Sequence, residues 1–442
     1  MANIVPFRGV LYEPAVVGDI QNVVAPPYDV IDQESQRALY ARHPNNVVRL
    51  ELGLEHPEDR GSENRYTRAA RLLRDWLGSG VLRRDPHPAL YYYTIEYRVP
   101  AHRSGASPVR TLKGFLSLLE LEELGDGRIF PHENTRTSAK EDRLKLLEAC
   151  EANFSPIFSL FSDPDGRVLD LLGKSINVDR ARIQFHDDAG SCHRLWAVTD
   201  RNVLTDLAEA MKPKPLFIAD GHHRYETALT YRAQRRQGHS GGEKQPYDHV
   251  LMLFSSLEDA GLTILPTHRV LITPVPSPTQ IGSALHECFL MEEFGFNEVG
   301  EASARDRFLR SLQAERGSRP AFGLALRGHH AYVLLRLRPG HPALAKATVR
   351  DRLDVTILQN HVLTRLLRTK SDEEAMLYSK DDDEALDLVL RGSAQAALLL
   401  NPPRVADVQA VAAAGLRMPH KSTYFYPKPL TGLVMHVMNK VP

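Results

Sequence analysis

The sequence predicts a mixed α/β fold of the α+β kind, with mixed or antiparallel sheets and helices flanking them. Three observations carry this prediction. Short runs rich in aromatic and β-branched residues recur along the chain, as in YYYTIEYRV and VRTLKGFLSLLEL. Between them lie longer stretches whose apolar residues repeat at helical spacing. The two kinds of segment are interleaved, and several successive strands are joined by short polar connections that suit antiparallel pairs.

Taken in order, NVVAPPYDVI and NNVVRLEL read as short extended pieces, since Pro26 and Pro27 preclude a continuing helix. An amphipathic helix follows from about Asn64 to Leu77, with Tyr66, Ala69, Leu72, Leu73 and Trp76 along one face. YYYTIEYRV and VRTLKGFLSLLEL, separated by the loop PAHRSGASP, predict an antiparallel pair. Leu144, Leu146 and Leu147 amid charges predict a helix over 138–149, with Ser138 and Asp142 able to cap its start. ARIQFHDD and HRLWAVTD make a further strand pair, and PLFIAD leads into a helix over 225–236 that ends near Gly238. YDHVLMLFSSL and GLTILPTHRVL read as strands. TPVPSPTQ, at 273–280, is the best linker on its Pro and Ser content, which divides the chain into regions 1–272 and 281–442. In the second region, helices near 279–290, 301–315, 352–368 and 381–391 alternate with the hairpin AFGLALRGHHAYVLLRL and the strands AALLLN, STYFYP and LVMHVM.

At 442 residues the chain is long enough for two or three domains and a large core. Its apolar fraction of 43% and charged fraction of 25% are ordinary for a globular protein. Lys plus Arg and Asp plus Glu each total 55, so no global field favours a polyanion, and nucleic acid is not expected as a partner. Cys150, Cys192 and Cys288 fit neither a disulfide framework nor a CxxC site. MANIVPFRGV lacks the apolar core of a signal peptide, and no stretch approaches the roughly 20 apolar residues of a membrane span. A cytoplasmic setting is therefore expected, with no membrane partner, and a homodimer is compatible with the sequence.

The densest chemistry lies in LFIADGHHRYETAL. A buried strand ends at Asp220, Gly221 makes a turn, and His222, His223 and Arg224 open a helix. Unpaired N–H groups and the helix dipole favour an anion at such a place. Arg224 adds a fork for phosphate oxygens, the imidazoles can donate hydrogen bonds or exchange protons, and Gly221 lets the backbone approach closely. The functional reading is a phosphate cradle; the plainer one is that Asp220 only caps the helix. The same Gly-His-His recurs at Gly328, His329 and His330, where it is most simply a hairpin turn. Adjacent histidines seldom share one metal, so zinc is disfavoured and no metal ligands are assigned.

Other segments add candidates. Asp29 follows a rigid Pro-Pro turn that can project one carboxylate into a cleft or leave it bonded to its own backbone. HENTRTSAKEDRLKLL crowds His132, Glu133, Arg136, Lys140, Asp142 and Arg143 around a helix start, either as a solvated face or for proton transfer. GLRMPHKSTYFYPK, with His420, Lys421 and Ser422 after Gly415, lacks the second glycine and the element order of a true P-loop. Lys421 can still meet a phosphate as a point charge. THR, Thr267 to Arg269, ends a strand.

VPFRGVLY, VVAPPYDVI, HPNNVVRLEL, HENTRTSAKEDRLKLLEACEANFSPIF, ADGHHRYETAL, ILPTHRVL and MPHKSTYFYPKPLTGLV together resemble the family called domain of unknown function 1015, from residue 5 to 434. ADGHHRYETAL also resembles the nucleotide-contacting motif of the ParB and sulfiredoxin superfamily, which implies a core of that kind. Sulfiredoxins carry a reactive cysteine where this chain has His222, which argues against sulfinic-acid repair. ParB proteins are arginine-rich at the motif and carry a basic DNA-binding domain that has no counterpart here. Asp-Gly-His-His-Arg is the form found in the superfamily's free-serine kinases. The resemblance therefore implies phosphoryl transfer from ATP or ADP, with Mg²⁺, to the hydroxyl of a small metabolite, L-serine being the leading candidate. Gly221, His222, His223, Arg224 and Thr227 would bind the phosphates, helped by Lys421. Asp29, Glu51, Asp220 and His223 are the candidates for proton transfer, and Arg49 or Arg269 for the acceptor's carboxylate. A nucleotide-responsive, partition-like regulator and a phosphatase using the same cradle are the alternatives.

Overall fold

The computed structural model describes residues 2–100, 108–125, 128–133, 135, 137–237, 243–341, 344–345, 347–366, 376–419 and 421–439. Arg136, Gly238, His420, most of the loop PAHRSGASP and the end of the helix expected over 352–368 lie outside the described residues. The chain forms two compact units. The first comprises Met1–Arg98, Val109–Leu262 and Pro427–Pro442; the second comprises Val99–Pro108 and Thr263–Tyr426. This corrects the expected division at 273–280. TPVPSPTQ lies inside the second unit, where Ser277 caps a helix, and the last segment of the chain returns to the first.

In the first unit the strands are β1 (Ile4–Val5), β2 (Val10–Tyr12), β3 (Leu82–Arg84), β4 (Leu90–Arg98), β5 (Val109–Glu120), β6 (Ile129–Phe130), β7 (Ala152–Asn153), β8 (Ile157–Phe161), β9 (Ile183–His186), β10 (Cys192–Val198), β11 (Leu216–Asp220) and β12 (His249–Ser256). The helices are α1 (Pro14–Val17), α2 (Gln33–Arg42), α3 (Val48–Glu51), α4 (Arg65–Gly78), α5 (Thr137–Cys150), α6 (Arg167–Ser175), α7 (Arg201–Met211) and α8 (His222–Arg236). A nine-stranded mixed sheet runs in the order β6-β11-β8-β12-β5-β4-β10-β9, with β1 on β5. The predicted antiparallel pairs β4–β5 and β9–β10 are present, while β12 and β8 are parallel. Phe115 and Phe254 stack at 5.0 Å in the core, and Leu207, Met211, Leu216, Ile218 and Tyr225 from α7, β11 and α8 pack into the same cluster. Gly114 is required there, because a Cβ would sit 2.6 Å from the Phe254 carbonyl oxygen.

Two pieces expected to be extended are helical. Tyr28–Val30 forms a 3-10 turn after Pro27, and Val48–Glu51 forms α3. The reason lies in Asn46, fully buried, whose Oδ1 accepts from Val48 N at 2.9 Å while its Nδ2 donates to the Asn22 and Val24 carbonyls. An Asx cap of this kind outweighs the strand preference of Val47 and Val48. Asp142 does not cap α5; it accepts from Arg65 at 2.6 Å and from the Tyr66 hydroxyl at 2.7 Å, tying α4 to α5.

The second unit contains β13 (Thr263–Leu265), β14 (His268–Leu271), β15 (Phe289–Gly295), β16 (Ala321–Leu326), β17 (Ala331–Leu337), β18 (Met376–Ser379), β19 (Ala396–Leu400) and β20 (Tyr424–Tyr426). Its helices are α9 (Pro278–Leu285), α10 (Glu301–Ala314), α11 (Asp354–Leu358), α12 (Thr364–Leu366), α13 (Asp382–Leu390) and α14 (Val405–Ala413), with a π-turn at Gln359–Leu363. Six strands form an antiparallel sheet in the order β15-β17-β16-β19-β14-β18. The helix expected over 279–290 stops at Leu285, and Phe289 begins β15 instead. Gly328, at φ +75°, turns the β16–β17 hairpin as predicted. Arg305 joins α10 to α13 through Glu301, Asp383 and Asp387 at 2.6, 2.7 and 2.8 Å.

Candidate functional site

The site grows from the junction of β11 and α8. β11 lies between β6 and β8, and its pairing with β8 shifts register between Ile218 and Asp220. A bulge of this kind re-aims the side chains beyond it. Gly221 follows at φ +91°, a left-handed conformation, and a Cβ there would meet Arg224 Nε at 2.9 Å. α8 then begins at His222, so the first turn carries His222, His223 and Arg224. Helix geometry leaves the N–H groups of that turn pointing out of its end.

Around this turn the charges interlock. Asp220 Oδ2 accepts from Arg224 at 2.7 Å, and Oδ1 accepts from Lys428 Nζ at 2.7 Å. Lys428 also donates to Asp29 Oδ2 at 2.9 Å, so one ammonium bridges two carboxylates from distant parts of the sequence. Burial alone would raise the pKa of Asp220, but Lys428 and then Arg224 outweigh it and hold the carboxyl below its usual range. Arg224 also donates to the Pro156 carbonyl at 2.6 Å. Its guanidinium thus fastens β11 to the segment before β8, and it could turn to a phosphate only by leaving these partners.

His222 is buried, its Nε2 accepting from His132 N at 3.2 Å and its ring meeting that of His132 edge to face at 4.6 Å. His132 Nδ1 lies 2.6 Å from the Ile218 carbonyl, which makes it the protonated nitrogen, and burial lowers the His132 pKa so that the ring stays neutral. These two rings pack against each other beside the turn, and His223 is half-buried. Glu226, one turn further on, accepts from Thr135 Oγ1 at 2.6 Å and Lys140 Nζ at 3.0 Å.

Glu51 and Thr227 flank a small cavity, about 40 Å³, with Arg143, Ser155 and Arg224 on its other walls. It has room for about one water. Ser155 donates to Glu51 Oε1 at 2.9 Å, and Arg143 lies over the Tyr28 ring at 4.3 Å while donating to the Glu51 carbonyl at 2.9 Å. Burial pushes the Tyr28 hydroxyl up to about 12, opposed by Arg224 and Arg143 and reinforced by Asp29 and Glu51. Tyr28 therefore stands among all four.

Asp29, Glu51, Asp220, Gly221, Arg224 and Thr227 are thus gathered in the first unit. Arg49 is not with them: it lies over the Tyr40 ring at 4.4 Å and donates to the Tyr40 carbonyl. Arg269 and Lys421 belong to the second unit, where Arg269 donates to the Lys421 carbonyl at 3.1 Å. Lys428, Tyr28 and Ser155 were not singled out from the sequence, and Arg143 stood only within a charge run. Lys428 carried a signal, since it sits between Pro427 and Pro429 in a fixed backbone.

The sequence matches the family described as Protein of unknown function (DUF1015) over residues 4–356. This chain belongs to the DUF1015 family. Among solved structures, a free serine kinase mutant in complex with ADP is similar to this DUF1015 chain at 11% identity and a TM-score of 0.36, over 77% of this chain and 98% of that one. A conserved hypothetical protein from Pyrococcus furiosus gives 12% and 0.32 over 70% and 90%. SbnI with a C-terminal truncation, from Staphylococcus aureus, gives 10% and 0.34 over 72% and 85%. No curated protein matches the sequence.

The fit to magnesium can be judged from the donors. Asp29 and Asp220 are the hard oxygen ligands that such an ion takes, but both already converge on the Lys428 ammonium. A divalent cation would have to displace that ammonium. Asp29 and Asp220, paired as they are with Lys428, therefore do not fit a resident magnesium ion.

Proposed function

We propose that this DUF1015 protein binds ATP or ADP at the start of α8 and transfers a phosphoryl group to the hydroxyl of a small metabolite, L-serine being the leading candidate. The observation that carries the reading is the Asp29–Lys428–Asp220 bridge beside a helix N-terminus opened by Gly221 at φ +91°. It sets a cation, a carboxylate and a helix N-terminus within one small region, which is what phosphate binding with proton removal requires.

In this reading the first turn of α8 holds phosphate oxygens, and Lys428 supplies positive charge as the transferred group moves. Asp220, buried and held ionised by two cations, orients Lys428 and Arg224; its depressed pKa makes it a poor base. Asp29 is the more exposed carboxylate of the bridge, its side chain 34% accessible, and takes the proton. The acceptor oxygen forms a bond to the terminal phosphorus, the bond from that phosphorus to the nucleotide's bridging oxygen breaks, and its electron pair leaves with the nucleotide. His223, in the first turn of α8, donates to the departing oxygen in this reading.

Phosphorus NMR of the full chain with ATP or ADP and a panel of hydroxylated metabolites tests this. O-phosphoserine, or another phosphate ester, should form with serine or one relative, and Asp29→Asn should slow turnover about a hundredfold or more, the ordinary worth of a general base. Nucleotide binding with no ester formed from any acceptor would leave the kinase reading without support.

A further inference from the structure

A cavity of about 290 Å³ in the second unit lies where two segments singled out in the sequence meet: Thr267 and Arg269 of THR, and Met418 and Ser422 of MPHKST. Arg269 is 4% exposed. Its guanidinium donates to the carbonyls of Thr267 and Lys421 and lies over the Tyr378 ring at 5.0 Å. Among the described residues no carboxylate pairs with it, and burial pulls its pKa down to about 10. Thr267, also buried, lines the cavity, and its hydroxyl finds no hydrogen-bond partner among the described residues. A buried cation without a counter-charge and an unsatisfied buried hydroxyl are both costly in a folded protein. A bound anion relieves both.

The rest of the lining agrees in sign and shape. Arg316 and Arg352 stand exposed at the rim, and neither pairs with a carboxylate among the described residues. Asp407 is neutralised by Arg404, at 2.7 Å. Asp354 is pushed up to about 7 by burial and by Asp407, against Arg404, so it opposes an anion weakly at neutral pH. Leu353, Leu400 and Met418 add buried apolar side chains to the lining. Several cations in the lining call for a phosphate more than a single carboxylate, and the apolar residues call for a carbon skeleton attached to it.

We propose that this cavity binds a small organic phosphate, its phosphate oxygens on Arg269 and Thr267 and its carbon skeleton against Leu353, Leu400 and Met418. The site is independent of the phosphoryl-transfer reading of the first unit. Calorimetric titration of the full chain with AMP, ribose 5-phosphate and inorganic phosphate tests it. At least one of the two esters should bind more tightly than inorganic phosphate. That affinity should fall about ten- to a hundredfold in Arg269→Met, the worth of a charge-assisted hydrogen bond, fall in the double variant Arg316→Gln/Arg352→Gln, and persist in Asp29→Asn. Preference for AMP identifies a nucleotide and equal binding of both esters a sugar phosphate. If Arg269→Met does not fold, the exposed pair Arg316 and Arg352 decides. The proposal is overturned if neither ester binds at about millimolar concentration, if inorganic phosphate binds as well as the esters, or if ester binding is unchanged by the arginine substitutions.

Discussion

Lys428 holds two carboxylates at once, and its side chain is only 10% exposed. Removing one partner of a buried ion pair leaves the other charge uncompensated, so Lys428→Met should cost up to about 3–5 kcal/mol in urea unfolding. The pH dependence has a definite sign. The folded pKa of Asp220 lies below its unfolded value, near 3.9, so its contribution is fully present above that pH and is lost as pH falls through the folded pKa. Lys428→Met should flatten that acid limb. His436 gives a second limb at higher pH: it is buried against Phe7, with burial pushing its pKa down to about 4. An unfolded histidine binds its proton near pH 6.5, so stability should drop by about 3 kcal/mol between about pH 6.5 and 4. Unfolding midpoints across that range should lose this slope in His436→Phe.

At the level of elements, the turn that starts α8 depends on one residue. Gly221→Ala puts a Cβ into a left-handed conformation and against Arg224, so a loss of about 1–3 kcal/mol is expected from thermal or urea unfolding. That strand, turn and helix were legible because the apolar run, the Asp-Gly pair and the helix formers all agree. α3 was not, because Val47 and Val48 favour a strand locally while the deciding bonds of Asn46 reach back to Asn22 and Val24. The same limit applies to the site. Asp220, Gly221 and Arg224 stand together in the sequence, whereas Lys428 reaches Asp29 across nearly the whole chain, a pairing that no local pattern announces. Arg224 reads as a phosphate fork and in the structure donates to Asp220 and to the Pro156 carbonyl, the latter a long-range contact invisible in DGHHR alone.

Across the whole molecule, the mixed α/β class and the antiparallel pairs followed from periodicity, but the division into units did not. Composition marked TPVPSPTQ as a linker, while the actual boundary falls near Leu262 and the terminal segment goes back to the first unit. There the Thr431 and Ala25 backbones bridge, Gly432 N donates to the Phe154 carbonyl, and His436–Val437 pairs with β7. A chain cut after Tyr426 should therefore lose the cooperative unfolding of the first unit by calorimetry, since Lys428 and these backbone bonds go with it. The central claim, that nucleotide phosphates are held at the start of α8, is tested most directly by titrating ATP and ADP into the unaltered chain and Gly221→Ala. Binding that weakens about tenfold or more in folded Gly221→Ala is the predicted result. Nucleotide affinity unchanged by Gly221→Ala would contradict it.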